Sequence, residues 1–278
     1  MIYQRFYIEI TTNCNLNCSF CLPTNRPSQF MTPEEFEFIL KEIDVYSQHI
    51  YLHLKGEPTL HPYLKEIMDL SHQYHKKVHL VTNGTLLDKL NFDLLFHPAL
   101  SQLTLSLHSL QELNGENRNK VLKSVERIIM RSKMSSVSLF LRIWNENNDE
   151  ILQWIRDLLN LDFEYTPTKY RLNIKKNITL DFDKEFAWPS LESPFISTKG
   201  SCYGGIKMMG ILCDGQVTPC CLDNDGDISL GNIFKTPFKN LINQSRYSDF
   251  ISGMASNQLT ESLCQHCTYH LKHKKRLD

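Results

Sequence analysis

The 278-residue chain predicts an α/β fold, a mainly parallel sheet followed by a smaller loop-rich domain. Three observations carry this. Period-two apolar alternation and 3.6-residue periodicity take turns from the first residues to about residue 180. Strands that alternate with helices in this way run parallel, each helix crossing over to the next strand. Beyond residue 180 the period is lost, Pro, Ser, Gly and aromatics accumulate, and six of the nine cysteines gather. The expected division is 1–180 and 181–278.

The first strand, Arg5–Thr11, alternates Phe6, Ile8 and Ile10 with Tyr7, Glu9 and Thr11. Helix Pro33–Tyr46 follows Thr32, an N-cap residue, with proline at the first helical position and Glu34 and Glu35 on the positive end of the dipole. Strand His49–Lys55 sets Ile50, Leu52 and Leu54 against Tyr51, His53 and Lys55, and helix Tyr63–Tyr74 follows. Strand Lys77–Thr82 has no clear apolar face and leads into helix Asp88–Phe96. Strand Gln102–His108 opposes Leu103, Leu105 and Leu107 to Thr104, Ser106 and His108, before helix Gly115–Arg131. Strand Ser136–Ile143 opposes Leu139, Leu141 and Ile143 to Ser138, Phe140 and Arg142, before helix Asp149–Leu159. The sixth strand, Tyr170–Lys175, alternates Leu172 and Ile174 with Arg171, Asn173 and Lys175. Later, Ile211–Cys220 reads as a hairpin turning at Asp214-Gly215.

Charge is balanced, 30 Lys+Arg against 31 Asp+Glu, so the global basic field typical of nucleic-acid binding is absent. No apolar run approaches the roughly 18 residues of a membrane span. The opening MIYQRFYIEI reads as a strand rather than a secretory signal. A reducing cytoplasm is the expected setting, and there clustered thiols act as metal ligands or catalysts more often than as crosslinks. The basic tail Thr268–Asp278 reads as a solvated end.

Cys14, Cys18 and Cys21 form Cys-x3-Cys-x2-Cys directly after the first strand. Three thiolates on one loop hold three corners of a 4Fe-4S cluster and leave one iron open for a ligand. Zinc held by three cysteines and a distant histidine is the alternative. The triplet resembles the cluster motif of the radical S-adenosylmethionine (SAM) superfamily. That resemblance implies an incomplete (β/α)6 TIM-like barrel whose open iron chelates SAM. It also implies an enzyme that cleaves SAM reductively to a 5'-deoxyadenosyl radical, and a reducing partner such as flavodoxin or ferredoxin. Lys55-Gly56-Glu57-Pro58 resembles the family's Gly-Gly-Glu-Pro, with Lys55 in place of the first glycine. By the resemblance Gly56 brings backbone to SAM, Glu57 meets its ammonium, and Asn83, Ser106 and His108 contact it from later strand ends. Phe20 sits where the family places an aromatic near adenine, and core packing accounts for it equally well. Arg142 joins the cofactor side, and Tyr51, His53 and Arg142 are the candidates nearest the reacting atoms.

The set of strand residues opposite the apolar one must face inward. An interior so polar cannot be a dry core, since unpaired buried polar groups cost about 1–3 kcal/mol each. It is expected to be an open cavity for a polar ligand. Four inward cations, Lys55, Arg142, Arg171 and Lys175, suggest a small-molecule substrate carrying a carboxylate or phosphate; the alternative is that two of them pair with Glu9 or Glu57.

Cys202, the Gly215-x4-Cys220 segment and Cys264-x2-Cys267 resemble the SPASM/Twitch auxiliary-cluster domain. In size and layout the chain is similar to the aminoglycoside-pathway dehydrogenases of that superfamily. The resemblance implies that Cys202, Cys220, Cys264 and Cys267 enclose a second 4Fe-4S cluster that moves electrons; a zinc ribbon from the same four is the alternative. Cys213 and Cys221 are left over, and adjacent Cys220 and Cys221 in extended chain point to opposite faces. Two other functions compete with small-molecule chemistry. One is modification of a peptide, disfavoured because the cluster loop begins at residue 14 and leaves no room for a preceding peptide-binding domain. The other is a non-enzymatic iron-sulfur or zinc sensor.

Overall fold

The computed structural model describes residues 2–22, 24–132, 134–144, 149–161, 163, 171–183 and 187–271. Nine strands form one sheet. They are β1 (Arg5–Ile8), β2 (His49–Tyr51), β3 (Lys77–Thr82), β4 (Leu100–Ser106), β5 (Ser138–Ile143), β6 (Arg171–Lys175), β7 (Ile178–Phe182), β8 (Met208–Ile211) and β9 (Val217–Thr218). Their order is β6-β7-β5-β4-β3-β2-β1-β8-β9. From β7 through β8 every pair is parallel. The two outermost pairs, β6 with β7 and β8 with β9, are antiparallel.

Helices α1 (Pro33–Glu42), α2 (Leu64–Gln73), α3 (Gly115–Ser132) and α4 (Asp149–Leu159) follow strands β1, β2, β4 and β5. Thr32 closes a capping box with Glu35 ahead of α1, as the Thr-Pro-Glu-Glu segment requires. The apolar helix faces, such as Phe36, Ile39, Ile67, Val125, Ile128 and Ile155, share one core with Phe6, Ile8, Ile10, Ile50, Leu52, Leu103, Leu105, Leu139 and Leu141. The outer layer of the α/β barrel is therefore the face that alternation assigns to it. Val78 and Leu80 take the same outward side in β3, which leaves His79 and Val81 on the other.

Three expectations are corrected. The sixth parallel strand is β7, not Arg171–Lys175; Tyr170 lies outside the described residues. β7 alternates buried Ile178, Leu180 and Phe182 toward the core, whereas β6 turns back through Lys176-Asn177 and lies at the sheet edge. Leu54 leaves the outer set, because β2 ends at Tyr51 and alternation lapses beyond Leu52. Leu54 packs instead with Tyr7, Met208 and Leu212. The helix expected over 88–96 is only a short 3-10 turn, Phe92–Phe96, because the Asn91 side chain accepts from the Asp93 N–H and starts it late.

The hairpin turns at Asp214-Gly215, with Gly215 at φ +83°. Its first strand also pairs with β1, Arg5 opposite Met208 and Ile8 opposite Ile211. The segment carrying the later cysteines thereby shares the sheet of the earlier ones.

Glu9 lies one residue beyond β1 and is fully buried. Arg26 grips its carboxylate with both guanidinium nitrogens, at 2.5 and 2.6 Å. The backbone N–H of Lys55 donates to one oxygen at 3.2 Å and that of Cys213 to the other at 3.1 Å. Breaking one partner of a buried ion pair costs about 3 kcal/mol or more. Glu9→Gln is therefore expected to lower the Tm of the iron-free chain by roughly 6–12 °C. A thermal melt checks this, and a change under about 2 °C would mean that the pair does not hold these segments.

Candidate metal centres and binding cleft

The loop from β1 to α1 carries the first thiol triplet, and its two ends are sealed together. Thr11 and Phe30 form an antiparallel bridge. Thr12 N–H and the Thr11 hydroxyl both donate to Gln29 O, and the Thr12 hydroxyl donates to Pro27 O. Within the loop Cys21 N–H donates to Cys18 O at 3.0 Å. Burial raises the Cys18 thiol to about 12, helped by the Glu112 carboxylate and by the charges of Cys14 and Cys21. Cys14 is raised too, by burial first and then by Glu57 and Cys21, against a backbone donor at Leu16. The amide of Asn83 stands 3.9 Å from Cys14 Sγ, and Lys55 Nζ stands 3.3 Å from Cys21 Sγ. Three thiols that repel one another's negative charge, with N–H donors and one ammonium aimed at them, suit a cationic iron cluster that holds them deprotonated. Among the described residues no group of three or more His, Cys, Asp or Glu side chains is drawn in around a single metal ion.

Later strand ends brace this loop. Gly56 has φ +73°, and a Cβ there would run into the carbonyl oxygen of Thr11, so only glycine permits the approach. Glu57, 2% exposed, accepts from Thr59 N–H at 3.0 Å, the Thr59 hydroxyl at 2.6 Å and Asn83 N–H at 2.7 Å. Burial raises its carboxyl, and these donors oppose the shift. Asn83 Nδ2 donates to Asn15 Oδ1, and Ser109 ties Asn83 O to Ser106 O. Glu112 accepts from the Ser19 N–H and hydroxyl. Phe20 meets the His108 ring edge-on at 5.0 Å, His108 stacks on Trp144 at 5.8 Å, and Arg142 lies over Trp144 at 4.2 Å. Burial, with Arg142 nearby, lowers His108 to about 4, so it is neutral at pH 7.

On the inward face Tyr7 stacks on Tyr51 at 4.6 Å and Tyr51 on His79 at 4.3 Å. His53 lies 5.8 Å from Tyr7 and 6.0 Å from Tyr51. Burial and Arg142 lower it to about 3, and its Nδ1 has no hydrogen-bond partner among the described residues. Neighbouring strands place Arg142 opposite Asp181, Nε to Oδ2 at 3.6 Å. Arg171 reaches the other oxygen at 2.9 Å from a side chain 68% exposed. Lys175 donates to Leu159 O and Lys55 to Leu22 O. The four cations are thus engaged, and the carboxylate that takes two of them is Asp181 rather than Glu9 or Glu57.

The later thiols gather under α5 (Ser245–Ala255), where Cys202 and Cys264 pack against Phe250, Met254 and Leu259. Burial raises Cys220 well above its ordinary range, and the charges of Cys221, Asp223, Cys202 and Cys264 add to it. Cys264 is raised by burial and by Cys202 and Cys267. Backbone N–H groups of Gly204 and Tyr269 donate to Cys202 and Cys267 at 3.4 Å. Cys220 and Cys221 both pack on Tyr7, Leu54, Met208 and Leu212; Cys221 is hydrogen-bonded to Tyr7, and burial raises it to about 11. Cys213 is buried apart, donating to Ile10 O. Arg26, Glu112, Asp181 and Trp188 escape sequence reasoning, since none belongs to a motif or to a strand recognised from alternation.

A family model described as the radical SAM superfamily matches residues 8–167, and one described as an iron-sulfur cluster-binding domain matches 202–268. The chain is similar to GTP 3',8-cyclase of Aquifex aeolicus, 32% identical over 303 residues covering 91% of this chain and 94% of the cyclase. It is similar in structure to BtrN in complex with AdoMet and 2-DOIA, at 14% identity and TM-score 0.59, covering 96% and 94% of the two chains. Streptococcus suis SuiB bound to precursor peptide SuiA is similar at 16% identity and TM-score 0.64, covering 98% of this chain and 73% of SuiB. At those identities the two structures share the fold alone.

Anaerobically reconstituted protein is expected to hold about eight irons per chain, four per cluster. Cys18→Ala and Cys264→Ala should each fall to about four, while Cys213→Ala keeps about eight. Iron and sulfide quantification checks this; equal losses on replacing Cys213 and Cys264 would break the assignment.

Proposed function

The chain belongs to the radical SAM superfamily, and we propose that it removes a hydrogen atom from a polar small molecule held in the barrel. It is an enzyme of that family with SAM, the SAM-binding 4Fe-4S cluster and auxiliary iron-sulfur chemistry as its cofactors. Cys14, Cys18 and Cys21 would hold the first cluster, and Cys202, Cys220, Cys264 and Cys267 a second. When bound, the open iron and SAM supply the 5'-deoxyadenosyl radical that takes the hydrogen.

The rest falls to the chain's own residues. Glu57 would present its remaining lone pairs to the SAM ammonium, whose charge would favour the ionised carboxylate against the upward pull of burial. Phe20 and neutral His108 would flank the adenosyl side. The observation that carries the substrate class is the inward face itself: an Arg142–Asp181 pair beside Tyr7, Tyr51 and His53, with donors and an acceptor side by side. A donor next to an acceptor suits hydroxyl and amino groups, and this replaces the need for an anionic ligand that four free cations had implied. His53 and Tyr51 would position the hydroxyl whose carbon loses hydrogen. The similarity to a GTP cyclase over nearly the whole chain also favours a small molecule over a peptide. A low-potential carrier such as flavodoxin or ferredoxin would deliver electrons. No helix among the described residues is long and apolar enough to cross a membrane.

Reconstituted protein with dithionite is expected to release 5'-deoxyadenosine from SAM, and Cys18→Ala to release none. Polyols, amino sugars or nucleosides should accelerate this release, and Arg142→Ala should abolish the acceleration while basal release persists. Acceleration by peptides alone would overturn the small-molecule reading.

A further inference from the structure

Lys55 is 7% exposed, and among the described residues its ammonium forms no ion pair with a carboxylate. The acids of the cleft are taken: Glu9 by Arg26, Asp181 by Arg142 and Arg171. The backbone of Lys55 is fixed by its N–H to Glu9 Oε1, and Gly56 follows in a conformation only glycine adopts readily. The side chain is therefore launched from a rigid point. Nζ donates to Cys21 Sγ at 3.3 Å and to Leu22 O, and the Trp188 ring covers it at 4.7 Å.

We infer that Lys55 is a positioning residue that sets the reduction potential of the SAM-binding cluster through a charge-assisted N–H to sulfur bond at Cys21. The inference rests on the first thiol triplet holding that cluster. Reduction adds one electron to the cluster, and a nearby cation stabilises the more negative state, so the potential rises. Near-complete burial removes the water that would screen this charge, which strengthens the effect. The ring face and the Leu22 carbonyl hold the ammonium in place without neutralising it. In the segment this stretch resembles, glycine occupies the position; this chain places a charge there.

The test is an EPR-monitored redox titration of the full chain with both clusters reconstituted, with and without SAM to identify the SAM-sensitive signal. Lys55→Met is expected to lower the midpoint of that signal. At a fixed potential the ratio of reduced to oxidised cluster should fall at least tenfold, equivalent to 59 mV for one electron. The auxiliary signal should stay put. Lys55→Arg should remain within threefold of the native ratio, and Lys55→Gln, which keeps an N–H without the charge, should move the same way as Lys55→Met by a smaller factor. An unchanged midpoint in both Lys55→Met and Lys55→Gln overturns the inference and leaves the cluster assignment intact. Equal shifts in both signals overturn it as well, since they report general damage. Native protein with no SAM-sensitive cluster overturns both the inference and the reading beneath it.

Discussion

The buried carboxylate of Glu9 is the constraint on which the arrangement depends. Two oxygens with no access to water accept from Arg26 on the returning arm of the thiol loop, from Lys55 in the loop beyond β2, and from Cys213 beyond β8. A buried charge left partly unpaired is costly, so these elements have one low-energy mutual position. The consequence reaches both thiol sets. The first hangs on a loop whose return is held by Arg26. The second brackets the β8–β9 hairpin, with Cys202 before β8 and Cys220 after β9, and Glu9 also holds the start of that hairpin's turn through the Cys213 N–H. A single carboxylate thereby registers two metal-binding segments that are about 200 residues apart in sequence.

The same logic of saturated charge explains the cleft. Asp181 accepts Arg142 from the neighbouring strand and Arg171 from the edge strand, so one carboxylate offsets part of the positive charge of the inward face. Neutral His53 and His108 agree with this, because burial and the Arg142 cation both disfavour their protonation. Stacked tyrosines and uncharged imidazoles beside these charges are what the proposed recognition of hydroxyls and amines by hydrogen bonding would use. Lys55 is the exception, and its direction toward Cys21 separates its charge from the substrate face.

Much of the fold and half of the site could be read from the residues. Outer strand faces, the Thr32 cap and the thiol triplet depend on neighbours a few positions away, and local pattern encodes such neighbours well. What escaped depends on long-range register. Asp181 pairs with Arg142 only because β7, not β6, lies beside β5, and β7 follows a two-residue turn that alternation alone does not mark. The β1–β8 pairing joins segments whose apolar residues, Met208, Met209 and Ile211, look like any hairpin strand. Glu9 was visible as an inward acid, yet its partner Arg26 sits in a loop without period, so nothing local could name it. Lys55 was visible as an inward cation, but its target depended on how the thiol loop closes.

Pairing β8 to β1 also limits how the two metal segments can move. Had the later domain merely docked on the barrel, its thiols could shift with the interface. Because β8 is hydrogen-bonded to β1 in parallel and β9 to β8, displacement of Cys220 requires breaking sheet bonds, closely packed about Gly210, where any Cβ would collide with Thr218. Cys221, the next residue, meets Tyr7 on the inward face, so the wall of the cleft and a proposed ligand of the second cluster are adjacent residues just past β9. Electron exchange between substrate and a cluster at Cys220 would then depend on a fixed separation rather than on domain closure.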